Sequence, residues 1–117
     1  MRNFLFAKSG TTPSNDLAAI NIQRGRDFGL LSYNDAREAY GLTRASAFSE
    51  VAASTEVAAL LTQVYKSPDH ADPWVAGIAE AHAIGSLVGP FFNAVLADQF
   101  ARLRDGDRCT ALVLRAV

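Results

Sequence analysis

The residues best able to do chemistry crowd into one stretch, Asp16–Gly29, where Asn21, Gln23, Arg24, Arg26 and Asp27 sit beside an apolar run. Read as a helix, the stretch puts Leu17, Asn21, Arg24 and Phe28 on one face, at i, i+4, i+7 and i+11. That face is expected to be buried, yet an amide and a guanidinium hold its middle. Such groups persist in an apolar stripe only where something hydrogen-bonds them, either another part of the protein or a ligand. From periodicity alone a plainer reading stays open, with Asn21 a buried structural amide and Arg24 paired with a carboxylate such as Asp27.

The elements that must position these residues read as helices throughout. Lys8–Asn15 is rich in Ser, Thr, Gly and Pro and reads as loop. Ser14, Asn15 or Asp16 can cap the helix after it, and Gly29 is a stop. Gly25 inside that helix costs about 1 kcal/mol against Ala, which suggests close approach by another element. Ser32 and Asp35 have the spacing of a capping box and start a short helix to Tyr40, ended by Gly41. Thr43–Ala53 has no clear period. Ser54 caps a helix whose core face is Val57, Leu60, Leu61, Val64 and Tyr65, and Ser67-Pro68 stops it. Asp72 and Pro73 open a helix to about Ala81, with Trp74 and Ile78 on one side. Ala83–Gly89 reads as loop. Pro90 opens the last helix, to about Asp105, with Phe92, Val95, Leu96, Phe100 and Leu103 as its apolar stripe. Arg102, Arg104 and Arg108 lie near its C-terminal end, where the macrodipole favours cations, and Gly106 can cap it. No convincing alternating strand is present. The fold class is all-α, with four to five helices and no substantial sheet.

Bulk properties narrow the partners. A chain of 117 residues fits one domain or part of one. Folded compactly it buries about two-thirds of its unfolded surface, too little to enclose a large cofactor alone. Half of the residues are hydrophobic, which argues against disorder. The net charge of −1, with both signs mixed, argues against nucleic acid as partner. No run of 18 apolar residues exists, so no membrane span is expected. Met1–Lys8 is too short for a signal peptide. The single Cys109 cannot form an internal disulfide.

The stretch Asp16–Leu42, DLAAINIQRGRDFGLLSYNDAREAYGL, closely resembles the signature of the animal-type haem peroxidases, the peroxidase–cyclooxygenase superfamily. Arg2–Phe6 is similar to the family's short segment ahead of that signature. Asp72–Glu80, Val88–Pro90 and Ala97–Arg108 resemble its later landmarks, in order and at plausible spacing. The resemblance runs from Arg2 to Arg108, more weakly across Ala7–Asn15 and Thr43–Ser67, and is lost at Cys109–Val117. It implies the C-terminal part of a haem peroxidase domain over residues 1–108 and a divergent tail over 109–117.

The resemblance also implies roles. Asn21 aligns with the family's asparagine that hydrogen-bonds the proximal haem-ligating histidine, fixing the ring's tautomer and modestly raising its electron donation. Arg24 aligns with an arginine at the haem propionates. Leu17 and Ile20 would supply apolar wall beside the proximal side. Arg26 and Asp27 read as structural, a helix-end charge pair or a contact to a neighbouring segment. Phe28 departs from the family, where many relatives carry histidine. The implied cofactor is haem, b-type or covalently linked, with calcium possible in an upstream part. The implied partners are haem, hydrogen peroxide and an electron donor.

His70 and His82 are the only histidines. They fall in or near expected loops and match neither the proximal nor the distal family histidine, so both read as surface residues. The haem ligand, distal histidine, catalytic arginine, calcium loop and haem-esterifying carboxylates all precede this stretch in the family, so the isolated chain is not expected to be a competent peroxidase. The family implies a secreted protein. A different class stays open: a helical scaffold that kept the sequence and lost the chemistry, its exposed face covered by a partner or by self-association. A related haem fatty-acid dioxygenase is a third reading, although the tyrosine such chemistry needs is not evident.

Overall fold

The computed structural model describes residues 16–107. The expectations for Arg2–Phe6, Lys8–Asn15, Arg108 and the Cys109–Val117 tail lie outside the described residues. Among the described residues five α-helices follow in order: α1 (Leu17–Asp27), α2 (Tyr33–Ala39), α3 (Thr55–Tyr65), α4 (Pro73–Ala79) and α5 (Pro90–Gly106). Short 3-10 turns at Phe48–Glu50 and Pro68–His70 interrupt the connections. Among the described residues the nearest thing to a strand is one antiparallel bridge between Ala52 and Glu80.

The starts and stops follow local chemistry. Asp16 caps α1 by accepting from the Ala19 N–H at 3.1 Å, Ser32 caps α2 through Asp35, and Ser54 caps α3 through Val57. Gly29, at φ +66°, ends α1 in a Schellman cap. Its N–H donates to the Arg26 carbonyl, and the Leu30 N–H reaches back to the Gly25 carbonyl. Gly41 ends α2 with the same pair of bonds, to Glu38 and Arg37.

The core is small and centred on α2. Tyr33, Ala36, Phe48, Ala58, Leu61, Ala71, Ala76 and Phe91 form it. Tyr33 meets Phe91 edge to face, ring centroids 5.7 Å apart, joining α2 to α5.

Several expected faces come out differently. In α3 the buried side is Ala58 and Leu61, with Val57 and Tyr65 packed beside them, whereas Leu60 and Val64 point outward. The sequence spacing predicts a wider stripe, because an outward Leu–Val pair at i, i+4 has the same spacing as a core pair. In α5 the buried residue is Phe91, not part of the expected stripe; Phe92 and Val95 pack partly, while Leu96, Phe100 and Leu103 are exposed. The buried part of α5 is its first turns, and Arg102 further on still lies near Tyr40. Ile78 is likewise exposed. Helix α4 stops at Ala79 rather than Ala81, because Glu80 turns to extended backbone and sends its side chain inward.

That inward glutamate was not singled out from the sequence, and it ties three helices together. Glu80 Oε1 accepts from the Tyr33 hydroxyl at 2.5 Å and from Arg37 Nη1 at 2.5 Å. Its Oε2 accepts from the Phe91 N–H at 2.7 Å, one of the donors left free at the start of α5. Arg37 also donates through Nε to the Thr43 carbonyl. All three side chains are buried, Glu80 at 2% exposure. Burial and the Glu80 carboxylate together push the Tyr33 phenol well above its ordinary range. Gly89 packs directly on Glu80, where any Cβ would collide with it.

Removing one member of a buried pair leaves the other charge uncompensated. Glu80→Ala is therefore expected to cost about 3–5 kcal/mol, and Gly89→Ala about 1–3 kcal/mol through overpacking. Urea unfolding followed by circular dichroism checks both, and an unchanged midpoint for Glu80→Ala would contradict this reading of the core.

Candidate functional site

Helix α1 carries the candidate residues because its sequence gives a good cap at each end and little apolar surface between them. No residue of α1 is buried. The face expected to be covered is open: Leu17 is 50% exposed, Ile20 37% and Phe28 77%. Among the helices of the described residues, α1 docks mainly on α4.

The structure brings part of the expected set together. Asn21, Arg24 and Phe28 line one open depression of about 300 Å³ with Leu30 and Trp74. Leu17 and Ile20 sit on the first turns of α1, outside it. Arg24 is exposed and Asn21 half-buried, and among the described residues neither side chain has a hydrogen-bond or ion-pair partner. Asp27 is not paired with Arg24; its carboxylate accepts from Gln23 Nε2 at 2.7 Å. The open alternative of an Arg24–Asp27 pair is thus not realised. Gly25 lies close to Leu30, the residue that closes the cap of its own helix, with Cδ1 3.3 Å from where a Cβ would stand.

Arg26 makes the contact to a neighbouring segment. Its Nε donates to Asp72 Oδ1 at 3.0 Å and its Nη2 to Oδ2 at 2.7 Å, a two-pronged bond from α1 to the start of α4. The Tyr65 hydroxyl donates to the same Oδ2 at 2.9 Å. Burial and the Asp72 hydrogen bond push the Tyr65 phenol up to about 12. The Arg26 guanidinium holds the Asp72 carboxyl below the usual carboxylate range, with help from Tyr65 and against partial burial. A cleft of about 230 Å³ lies beside this pair, lined by Asn21, Ile22, Asp72, Trp74 and His70 among others. His82 lines a separate depression with Ile78 and Leu87.

A fourth, apolar groove of about 320 Å³ runs between α2, α4 and α5 past Leu31, Tyr40, Trp74, Phe91 and Phe92. Trp74 borders three of these four hollows, all but the one at His82. Its importance was visible in the sequence only as a lone aromatic one step into a proline-started helix. A second polar cluster holds the loop after α2. Asn34 is buried, donating to the Ala45 carbonyl and to Asp69 and accepting from the Ala45 N–H. Arg44 bridges Asp35, Glu38 and Asp69 at the surface. Among the described residues no group of acids, histidines or cysteines could hold a metal ion, and no helix is long and apolar enough to cross a membrane.

The animal haem peroxidase family model matches residues 1–111. Chorion peroxidase of Drosophila melanogaster is 47% identical over 109 residues, covering 92% of this chain and 13% of that protein. Thyroid peroxidase of Sus scrofa is 43% identical over 110 residues, covering 92% of this chain and 12% of that protein. In structure the chain is similar to peroxidase A of Dictyostelium discoideum, with a TM-score of 0.76 and 39% identity over 83% of this chain and 20% of that one. The chain therefore spans a small fraction of the length of the relatives it matches.

The depressed Asp72 carboxyl sets a pH dependence. A carboxylate favoured by folding contributes stability that is fully present above its unfolded value, about 3.9, and is lost as pH falls through the lower folded value. Trp74 is the only tryptophan and borders the cleft beside the pair. Its fluorescence is expected to change in an acid step below about pH 4. The step should be missing from Asp72→Asn; an identical step in both proteins would count against this assignment.

Proposed function

The chain belongs to the animal haem peroxidase family, and on that premise we propose that it forms the C-terminal helical part of a haem-dependent peroxidase domain, oxidising a donor with hydrogen peroxide. When bound, the haem iron supplies the redox chemistry with peroxide. The residues of this chain hold and tune it from the proximal side. The supporting observation is the unpartnered amide of Asn21 and guanidinium of Arg24, a turn apart on the open side of α1.

The residues fit the outer contacts of such a group. The Asn21 amide oxygen accepts the N–H of an iron-ligating imidazole that comes from outside this chain, fixing the ring's orientation and tautomer. That hydrogen bond draws the ring proton towards oxygen and makes the imidazole a stronger donor to iron. The Arg24 guanidinium pairs with a propionate, the contact its planar fork suits. Leu17 and Ile20 exclude water from the edge of the site. The iron ligand itself would come from outside this chain: His82 borders another hollow, and neither His70 nor His82 borders the depression that Asn21 and Arg24 share. The chain alone is accordingly proposed to lack turnover. Exposed Leu60, Val64, Phe100 and Leu103 also suit a purely structural scaffold; the free cation beside an amide is what favours haem.

The test joins this chain to an upstream family segment that carries the ligating histidine. Replacing Asn21 and Arg24 together by leucine is expected to weaken haem retention or turnover by ~10–100-fold and to displace the Soret band. An unchanged Soret band and unchanged turnover would remove both residues from the site. In the chain alone, tight haem binding with peroxide turnover would refute the need for an outside ligand.

A further inference from the structure

Asp72 stands at the N-cap of α4, where an aspartate ordinarily accepts from the N–H groups of the first turn. It makes no such bond. Both oxygens turn instead to other helices, Oδ1 and Oδ2 to Arg26 of α1 and Oδ2 also to Tyr65 of α3. A local preference given up for a tertiary contact marks a position under functional constraint. The Asp72 side chain is 14% exposed, so the carboxylate end of the pair is sheltered, while the Arg26 side chain is 59% exposed.

Among the described residues, helix α1 has few other restraints. It has no buried residue and leans on α4 alone among the helices it packs against broadly. At 100° per residue, Arg26 lies 200° round the helix from Arg24 and 140° from Asn21. The fork on Asp72 therefore grips the side of α1 turned away from Arg24, while Asn21 and Arg26 both border the cleft beside the pair. A single-point contact would leave the helix free to roll about its axis. A roll of about 20° carries a side-chain atom near the helix surface by ~2 Å, enough to spoil a hydrogen bond aimed at a ring nitrogen.

We propose that Asp72, steadied by Tyr65, is a positioning residue that sets the rotation of α1 through Arg26 and so aims Asn21 and Arg24 at the haem. This rests on the site reading given above. Asp72 itself touches no part of the cofactor.

The test uses the haem-loaded protein, with the Soret band, the iron midpoint potential and the melting temperature read on each variant. Weaker hydrogen bonding to the ligand imidazole makes it a poorer donor and raises the potential. Asn21→Leu is expected to raise it most, Asp72→Asn and Arg26→Gln in the same direction by less, and Tyr65→Phe least. Arg44→Ala, which breaks a surface cluster away from α1, is expected to leave band and potential unchanged. If Asp72→Asn does not fold, Arg26→Gln gives the same reading from the exposed end of the pair. Variants at Asp72 and Arg26 that lower only the melting temperature, where Asn21→Leu moves the potential, would overturn the proposal. If Asn21→Leu is silent too, the haem reading of α1 fails. Hydrogen exchange in the free chain then judges the clamp separately. Faster exchange of α1 amides in Asp72→Asn, by ~3-fold or more, upholds it, and unchanged exchange overturns it.

Discussion

A carboxylate taken out of water must be matched on every side, and the packing of this chain is arranged around that demand at Glu80. Its two oxygens take the Tyr33 phenol, the Arg37 guanidinium and the Phe91 amide. Each donor belongs to a different structural job: Tyr33 anchors α2 in the core, Arg37 reaches on to the loop at Thr43, and Phe91 starts α5. The glutamate also serves α5 as a cap borrowed from elsewhere in the chain, since Gly89 has no side chain to offer. Apolar groups of similar volume could hold the same helices together as firmly. What the charged version adds is direction, because each donor is satisfied in one arrangement only.

Helix α1 is built on the opposite principle. It lies outside the core, carries good caps at both ends, and presents polar groups that nothing in the described chain satisfies. Among the described residues its one strong tether is the forked bond between Arg26 and Asp72. The contrast separates two kinds of polar residue that look alike in a sequence. Arg37 and Arg26 are spent on the chain itself. Arg24 is kept available, and the acid nearest it in sequence, Asp27, is occupied by Gln23.

Much of the local structure could be read from residue order. The caps at Asp16, Ser32 and Ser54 and the stops at Gly29 and Gly41 are short-range devices, and each fell where its chemistry placed it. The family followed from motifs in order, and the helical class from periodicity. Burial was less legible. Leu60, Val64, Leu96, Phe100 and Leu103 have core spacing but lie exposed, because helical spacing reports a face and not what covers it. Glu80 and Asn34 are not legible in the sequence, since a buried polar residue has no periodic signature and its partners lie far off along the chain. Asp72 was read as a cap from its place before Pro73, and its true partners on α1 and α3 needed the tertiary fold.

The wide spread of Glu80's partners bears on how the chain is made. Tyr33 and Arg37 lie 47 and 43 residues ahead of it, and Phe91 lies 11 residues behind. During synthesis the first two leave the ribosome long before the acid that neutralises them, and the acid in turn waits for Phe91. Until then α2 carries a guanidinium and a phenol that cannot enter a dry interior without cost. Helix α2 can coil early, but its burial is postponed until α5 begins to emerge, which makes the appearance of Phe91 the moment at which this part of the chain closes.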